Sequence, residues 1–566
     1  MTAATRGRVQ KLAAVSLIAL VAGAAAMADD DRDKKGKQFF QPENLVISRS
    51  VYDNQASNVV VGTVLPPNCK NTSGKCGKSA GAPFNGLYPG VWNNDVYDGS
   101  FGITSKIFLD QITRFGALVN TLEVPSGPTG DSLVTSFSSK SELALNRSTS
   151  GKYLTFMGYV APLDALDVSN SNTPGAALTI STVDPTDPVG QNFFRAVAQV
   201  DQYGEFHFTL TDAYSGNNGR AAILSDKHGA NAIYTSGNAG NGGNPQPNGI
   251  IIGAGAQIMT PSLSPESAQA PGDPTPVGSF NITQLGLAHD KIGKDTNFRG
   301  LTIFHNVIYL TKGSGSNGIN TVYFIDTTGS ACPNGVGLPS KFAVLPATGI
   351  AYNTANLQTL GVSPYNMCIL SGFPSTLDST NVAFPFGLFF ADDKTLYVAD
   401  EGSGDNTFST TSGSYTNAAT QTTAGLQKWV FNSTTNSWTY VYTLQSGLNL
   451  GVPYTVTGYP SGNNSATVLP WSPATDGLRN ITGQVDDDDQ VTIWGITSTV
   501  SGNGDQGADP NKLVKITDRL NNTNAAVAAK ETFSTVRSAG FAEVLRGVSF
   551  TPGSESDEDD HDHGRE

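Results

Sequence analysis

Charge is scarce in this chain. Only 14% of its residues are Asp, Glu, Lys or Arg, and acids outnumber bases by 48 to 34, for a formal net charge of -14. So little positive charge excludes nucleic acid and anionic membrane surfaces as general partners. Histidine is scarcer still, at six residues. His305 and His289 have no nucleophile beside them in sequence, and no Gly-x-Ser-x-Gly elbow is present. That excludes an α/β-hydrolase triad. The phosphate-binding pattern Gly-x-x-x-x-Gly-Lys-Ser/Thr is absent too. Beyond the N-terminus no apolar run reaches membrane-spanning length, so no membrane insertion is expected of the mature chain. Cysteine is limited to Cys69, Cys76, Cys332 and Cys368. No His lies close to any of them and neither spacing is Cys-x2-Cys, which argues against a zinc site. An even count in an exported chain favours disulfides. Of the three connectivities, the local one is chosen: Cys69–Cys76 and Cys332–Cys368.

What is abundant is glycine, with 62 residues, together with Ser, Thr and Asn. This is the composition of a loop-rich extracellular β protein. The N-terminus carries Arg6, Arg8 and Lys11, then an apolar run from Leu12 to Ala26 and the small-residue site Ala26-Met27-Ala28. Residues 1–28 therefore read as a secretory signal, and the run is short for a membrane anchor. The secreted form is expected in the extracellular space or the periplasm. Residues 29–43 are a charged leader and 553–566 an acidic, His-containing tail, both expected to be disordered. The tail, Asp557-Glu-Asp-Asp-His-Asp-His, has the composition of a solvated tail; weak metal binding or surface tethering is the alternative. Residues 44–552 are read as one domain.

The most regular stretch is Phe384–Trp429 and its continuation. Phe384-Pro-Phe-Gly-Leu-Phe-Phe-Ala leads through Asp392-Asp-Lys-Thr to Leu396-Tyr-Val-Ala-Asp-Glu-Gly, then to Gly425-Leu-Gln-Lys-Trp-Val-Phe and Trp438-Thr-Tyr-Val-Tyr-Thr-Leu. Four β-rich runs between turn residues make one antiparallel propeller blade. The Pro-x-Gly start, the Asp-rich turn and the Leu-Tyr-Val-Ala-Asp strand resemble a blade of the NHL, SMP-30 and TolB-like six-bladed propellers. Units of the same grammar recur, with second strands at Leu45, Tyr153, Ala232, Val307, Leu396 and Val491. Third strands are read at Lys106, Phe194, Ile250, Val322, Leu426 and Leu513. The fold expected is an all-β, six-bladed propeller. A seventh blade in Gln445–Ala474 is the alternative. The first unit lacks an inner strand, and the chain ends on an orphan, Leu545-Arg-Gly-Val-Ser-Phe. The orphan matches Phe298-Arg-Gly-Leu-Thr-Ile and Leu478-Arg-Asn-Ile-Thr, so the C-terminal strand is expected to complete the first blade, which protects sheet edges.

Four inner strands carry an arginine near their start: Arg220, Arg299, Arg479 and Arg546. The resemblance implies that inner strands line the axial channel. Arginines there would form a positive funnel suited to carboxylate or phosphate. The favoured reading is structural, each Arg tying a loop to the next blade, because repeats repeat structural devices. The loops after the second strands are rich in Gly, Asn, Ser and Asp. Asn238, Asn317 and Asn503 in these loops offer oxygens for sugar hydroxyls or Ca²⁺, as do Asp400, Glu401 and Asp405. In SMP-30-like propellers axial carboxylates and Asn hold a divalent metal, and no ligand set can be matched here residue by residue. Two functions stand. One is a secreted propeller that binds a small molecule, a glycan or a protein on its loop-rich face. The alternative is a metal-dependent lactonase, esterase or phosphoesterase at the channel mouth.

Overall fold

The computed structural model describes residues 38–554 apart from 56, 64–101, 175–190, 212, 215, 228–230, 239–254, 262–276, 280, 283–296, 314–318, 348–365, 377–381, 466, 487 and 504–505. The signal, most of the leader, the acidic tail beyond Ser554, Cys69 and Cys76 therefore lie outside the described residues.

Six antiparallel sheets follow one another along the chain. The fifth is the most regular: Pro385–Asp392, Thr395–Asp400, Gly425–Asn432 and Ser437–Leu444 pair in chain order from inner to outer edge. Its strands are β-branched and aromatic on the faces that pack, and each hairpin turn is Asp-, Asn- or Gly-bearing. The sixth runs Ala474–Asp486, Gln490–Val500, Lys512–Arg519, Ser534–Ser538. The third runs Gly219–Ser225, Ala232–Gly237, Ala256–Met259, Val277–Ser279. The fourth runs Phe298–Phe304, Val307–Lys312, Thr321–Asp326, Asn366–Leu370. The second has an inner strand of two residues, Asn146–Arg147, before Tyr153–Tyr159, Arg195–Asp201 and Phe206–Thr211. All six expected second strands are found. In the third blade the observed third strand is Ala256–Met259, and Ile250 lies outside the described residues.

The first blade closes as expected. Glu543–Phe550 pairs antiparallel with Leu45–Val51, which pairs with Thr104–Ile112 and then Leu118–Glu123. Leu45 stands opposite Phe550 and Ile47 opposite Val548. Neighbouring blades touch all the way round, from the first to the sixth and back. A buried apolar cluster sits at each of the six blade interfaces. The ring thus has no gap, and Leu45–Val51 is not left with an unpaired edge, where stray pairing starts. Between Leu444 and Ala474 no strand forms among the described residues, so there is no seventh blade. That segment instead lies over the fifth and sixth sheets, with bridges from Leu450 to Thr475 and from Pro453 to Ala474. Its Pro, Gly and Asn residues cannot sustain a ladder. Cys332 and Cys368 form a disulfide with Cα atoms 5.9 Å apart, stapling the fourth blade's outer strand. Among the described residues no helix is long and apolar enough to cross a membrane.

Candidate functional site: an axial ring of arginines

The inner strands are not regular where they meet the axis. Each of the four arginines falls in a register shift. Ser48 and Arg49 oppose Gly547 and Leu545, skipping Arg546. Ser236 and Gly237 oppose Ala221 and Gly219, skipping Arg220. Arg299-Gly300 and Arg479-Asn480 are likewise two residues set against one. A β-bulge bends the strand and re-aims its side chain. The glycines have a separate duty. A Cβ on Gly300 would collide with the Phe386 carbonyl, and one on Gly547 with the Leu143 carbonyl, so the lack of a side chain lets adjacent blades meet backbone to backbone at these points.

These contacts mark Leu143 and Phe386 as the residues that stand in the arginine's place in the second and fifth blades. Each of those two blades supplies a carboxylate from next door. Glu142 precedes Leu143, and Glu401 follows the strand Thr395–Asp400, its N–H donating to the Phe384 carbonyl at 2.9 Å. From the first blade to the sixth the ring therefore reads Arg, Glu, Arg, Arg, Glu, Arg. All six side chains are buried, and Glu401, with 7% of its surface exposed, is typical.

Glu401 is the hub. Its Oε1 lies 3.3 Å from Arg299 Nε, and its Oε2 accepts from Arg479 Nε at 3.2 Å. Burial alone would raise its pKa. Arg299, Arg479, Lys140 and Arg220 outweigh that and hold it below the usual carboxylate range. Arg299 also donates to Ser141 Oγ at 2.8 Å. Arg220 donates to Asn297 Oδ1 and, at 2.8 Å, to the Phe298 carbonyl. Its Nε is buried without a partner among the described residues. Burial first and Arg299 second push Arg220 well below its ordinary pKa. Arg546 donates to the carbonyls of Phe137 and Ser139 and to Ser50 Oγ. Arg220 and Arg546 thus do tie loops to neighbouring blades, while Arg299 and Arg479 serve the axial carboxylate. Arg479 gives only its Nε; among the described residues its two terminal amino groups make no hydrogen bond.

The other expected residues do not join the ring. Asp400 turns away and accepts from the N–H groups of Phe384 and Gly402 at 3.0 and 2.9 Å. Burial, opposed by those N–H groups, lifts it to about 6. Asp405 holds Thr407 N at 2.8 Å and Asn417 Nδ2 at 2.6 Å. Its Thr407 partner, against burial, keeps it below the usual range. The three carboxylates of Asp400, Glu401 and Asp405 thus go to three separate sets of partners. Asn238 donates to Asn217 Oδ1 at 2.7 Å. Asn503 is fully buried against Tyr459 and Asp509. Asn317 lies outside the described residues. His305 occupies the exposed turn between the first two strands of the fourth blade, facing Asp393.

Sequence reasoning missed three carboxyls. Glu142 accepts from Tyr159 Oη at 2.5 Å, Thr135 Oγ1 at 2.7 Å and Ser136 N at 3.1 Å. Asp476 sits in a second bulge of the sixth blade's inner strand and accepts from Gly404 N and Gln421 Nε2 at 2.7 and 2.6 Å. Burial, opposed by those donors, lifts it to about 7. Asp509 accepts from Tyr459 Oη and Ser501 Oγ, its Oδ2 is buried without a partner among the described residues, and burial lifts it to about 7. The signal that could have found Asp476 is its place just before Leu478-Arg479, the repeated inner-strand opening.

No family model and no curated protein sequence matches the chain. Several solved structures are similar at low identity. The NanB sialidase of Streptococcus pneumoniae shares 8% identity over 79% of this chain and 64% of that one, with a TM-score of 0.32. The chain therefore spans less than two thirds of the sialidase's length. A polysaccharide lyase of the PL25 ulvan lyase type shares 9% over 81% and 92%, with a TM-score of 0.29. A putative 6-phosphogluconolactonase from Bacteroides fragilis shares 10% over 90% and 98%, also at 0.29. Likeness this distant has no bearing on function.

Proposed function

We propose that this is an exported propeller that binds an anionic small molecule or glycan, one bearing a carboxylate, sulfate or phosphate, at its axial mouth. The observation that carries the reading is Arg479. Its stem is buried and its Nε is fixed by Glu401, yet its two terminal amino groups have no partner among the described residues. A guanidinium pinned at one edge presents its other edge as a ready fork for a planar oxyanion. The surroundings agree in sign. Arg220, Arg299, Arg479, Arg546 and Lys140 outnumber Glu142 and Glu401 at the axis, inside a protein of net charge -14. Export is supported by the N-terminal signal and by the disulfide. From the resemblance to NHL, SMP-30 and TolB-like propellers this reading keeps the fold alone.

The test is calorimetry and thermal melting with a panel of sugar acids, sulfated sugars, small dicarboxylates and inorganic phosphate, at low and high salt. One class is expected to bind and to raise the melting temperature; ligand at 100 times its Kd stabilises by about 2.7 kcal/mol. Arg479→Ala is expected to abolish the shift while the variant still folds. No binding by any class, or binding that survives Arg479→Ala unchanged, overturns the proposal. Chelator-sensitive turnover of lactone or phosphoester panels would replace it with the hydrolase reading.

A further inference from the structure

Away from the axis, the interface between the fifth and sixth blades holds a lysine and an aspartate in complete burial. Lys428, on Gly425–Asn432, places Nζ 3.0 Å from Asp518 Oδ2, on Lys512–Arg519, and both side chains are 0% exposed. Nζ also donates to the carbonyls of Arg519 and Asn522, at 2.7 and 3.0 Å. The rings of Tyr397 and Tyr442 enclose it, with Nζ 5.6 and 5.4 Å from their centroids. The tyrosine hydroxyls both donate to Asp518, at 2.6 Å from Tyr397 and 2.9 Å from Tyr442. A third ionisable group stands beside them. Glu531 has a buried Oε2 with no hydrogen-bond partner among the described residues. Burial first and the Asp518 charge second raise it to about 8, so it holds a proton at neutral pH.

We propose that Lys428 and Asp518 condense to an isopeptide bond that ties the third strands of the fifth and sixth blades, with Glu531 as the proton carrier. The reaction needs nothing from outside. Proton transfer along the Nζ–Oδ2 hydrogen bond converts ammonium and carboxylate to amine and carboxylic acid. Burial favours this neutral pair, pulling Lys428 below its ordinary range against the attraction of Asp518. Nζ then attacks Asp518 Cγ. The C–N bond forms, the carboxyl C–OH bond breaks, Glu531 protonates the departing hydroxyl, and Glu531 regains its proton from the attacking nitrogen. The products are a secondary amide and one water. The tyrosine hydroxyls stabilise the oxyanion that develops on Asp518. Burial already holds the amine and the carboxyl together, Nζ lying 3.0 Å from Oδ2, so the two groups need no diffusional encounter and part of the entropic barrier is removed.

Peptide mapping of the purified full-length protein decides the matter. The expected result is one cross-linked peptide pair containing Lys428 and Asp518, lighter than the sum of its two chains by one water, with trypsin unable to cut after Lys428. Glu531→Gln, at a partly exposed position outside the strands, is expected to fold and to give the unlinked peptides at full mass. Lys428→Arg keeps the cation and gives the same outcome. Complete tryptic cleavage after Lys428 in the denatured wild type shows a plain ion pair and overturns the proposal. So does a lost water that maps to a succinimide at Asp518 alone, which hydroxylamine opens and an amide survives. A cross-link retained in Glu531→Gln overturns the role given to Glu531.

Discussion

The two halves of the axial ring use the same residue types to different ends. In the half built from the fourth, fifth and sixth blades, Glu401 sits between Arg299 and Arg479 and contacts both. In the half built from the first, second and third blades, Glu142 makes its hydrogen bonds elsewhere and acts on Arg220 through its charge alone. Its oxygens are taken by Tyr159, Thr135 and Ser136, while Arg546 and Arg220 hold backbone carbonyls. One half is an electrostatic device and the other a mechanical one. The lesson is that a repeated residue in a repeat protein marks a place, and the neighbours decide its job. Arg546 is consumed by the loop 137–139 because the second blade's inner strand is only two residues long and that loop fills the gap. At Arg479 the neighbouring loop sends in the side chain of Glu401, which takes Nε alone, and the terminal edge stays open among the described residues.

The severest way to break the comparison is to remove one blade's share of the ring. Truncation after Gly540 deletes the strand that carries Arg546 and the buried Leu545, Val548 and Phe550. Each such side chain is worth roughly 1.5–3 kcal/mol, against a typical domain stability of about 5–15 kcal/mol. Circular dichroism should show loss of the cooperative melt. Truncation after Gly553 should melt like the full chain, and a stable Gly540 truncation would refute closure.

Next in size are the two glutamates. Glu401→Gln leaves two buried guanidiniums facing each other without their counter-ion, and denaturant melts should show a loss of about 3–5 kcal/mol. Glu142→Gln weakens hydrogen bonds and a longer-range attraction to Arg220, with no direct ion pair to lose, and should cost about 1–3 kcal/mol. Equal losses would mean that the halves do not differ.

Proton linkage sharpens the same contrast, because the raised carboxyls Asp400 and Asp476 lie on the electrostatic side, with Asp509 among the loops near by. Their ordinary value is 3.8, and in the folded protein they rise to about 6, 7 and 7 respectively. Below pH 3.8 both states are protonated and these groups cost nothing. Between there and about pH 7 the unfolded chain has shed protons that the folded chain retains, so stability falls as pH rises. Above that window the loss is complete. Denaturant melts should therefore show greater stability at pH 5 than at pH 8. The gap should be a few kcal/mol, because each tenfold difference in proton affinity between the two states is worth roughly 1.4 kcal/mol. Asp476→Asn should flatten part of that slope, and an unchanged slope would show that its carboxyl ionises freely.

Much of the fold was legible because second strands carry β-branched and aromatic runs that need no partner to be recognised. The closure was legible for another reason: Leu545-Arg-Gly-Val repeats Phe298-Arg-Gly-Leu, and both turn out to be bulged inner strands. The site was half legible. The arginines could be picked out by repetition, and Glu401 by its neighbours, but Asp400 and Asp405 share that neighbourhood and point elsewhere. Glu142 carried no signal, and Asp476 carried only its place before Leu478-Arg479; the partners of both come from folding. Gly404, which binds Asp476, is 72 residues away, and Asn218, which reaches toward Glu142, is 76. Local pattern carries no information about such pairings.

The clasp of the first blade also sets an order of events during synthesis. Ser48 waits for Gly547, 499 residues downstream, and Leu45–Val51 has no inner neighbour until that strand emerges. Blades five and six can form as units while the chain is still growing, since each is contiguous in sequence. The ring itself cannot. On the proposed export, the chain crosses its membrane before it locks, and the fastening strand lies at residues 543–550. The propeller stays threadable until nearly all of it has been made, then becomes a closed object in one late step of high contact order.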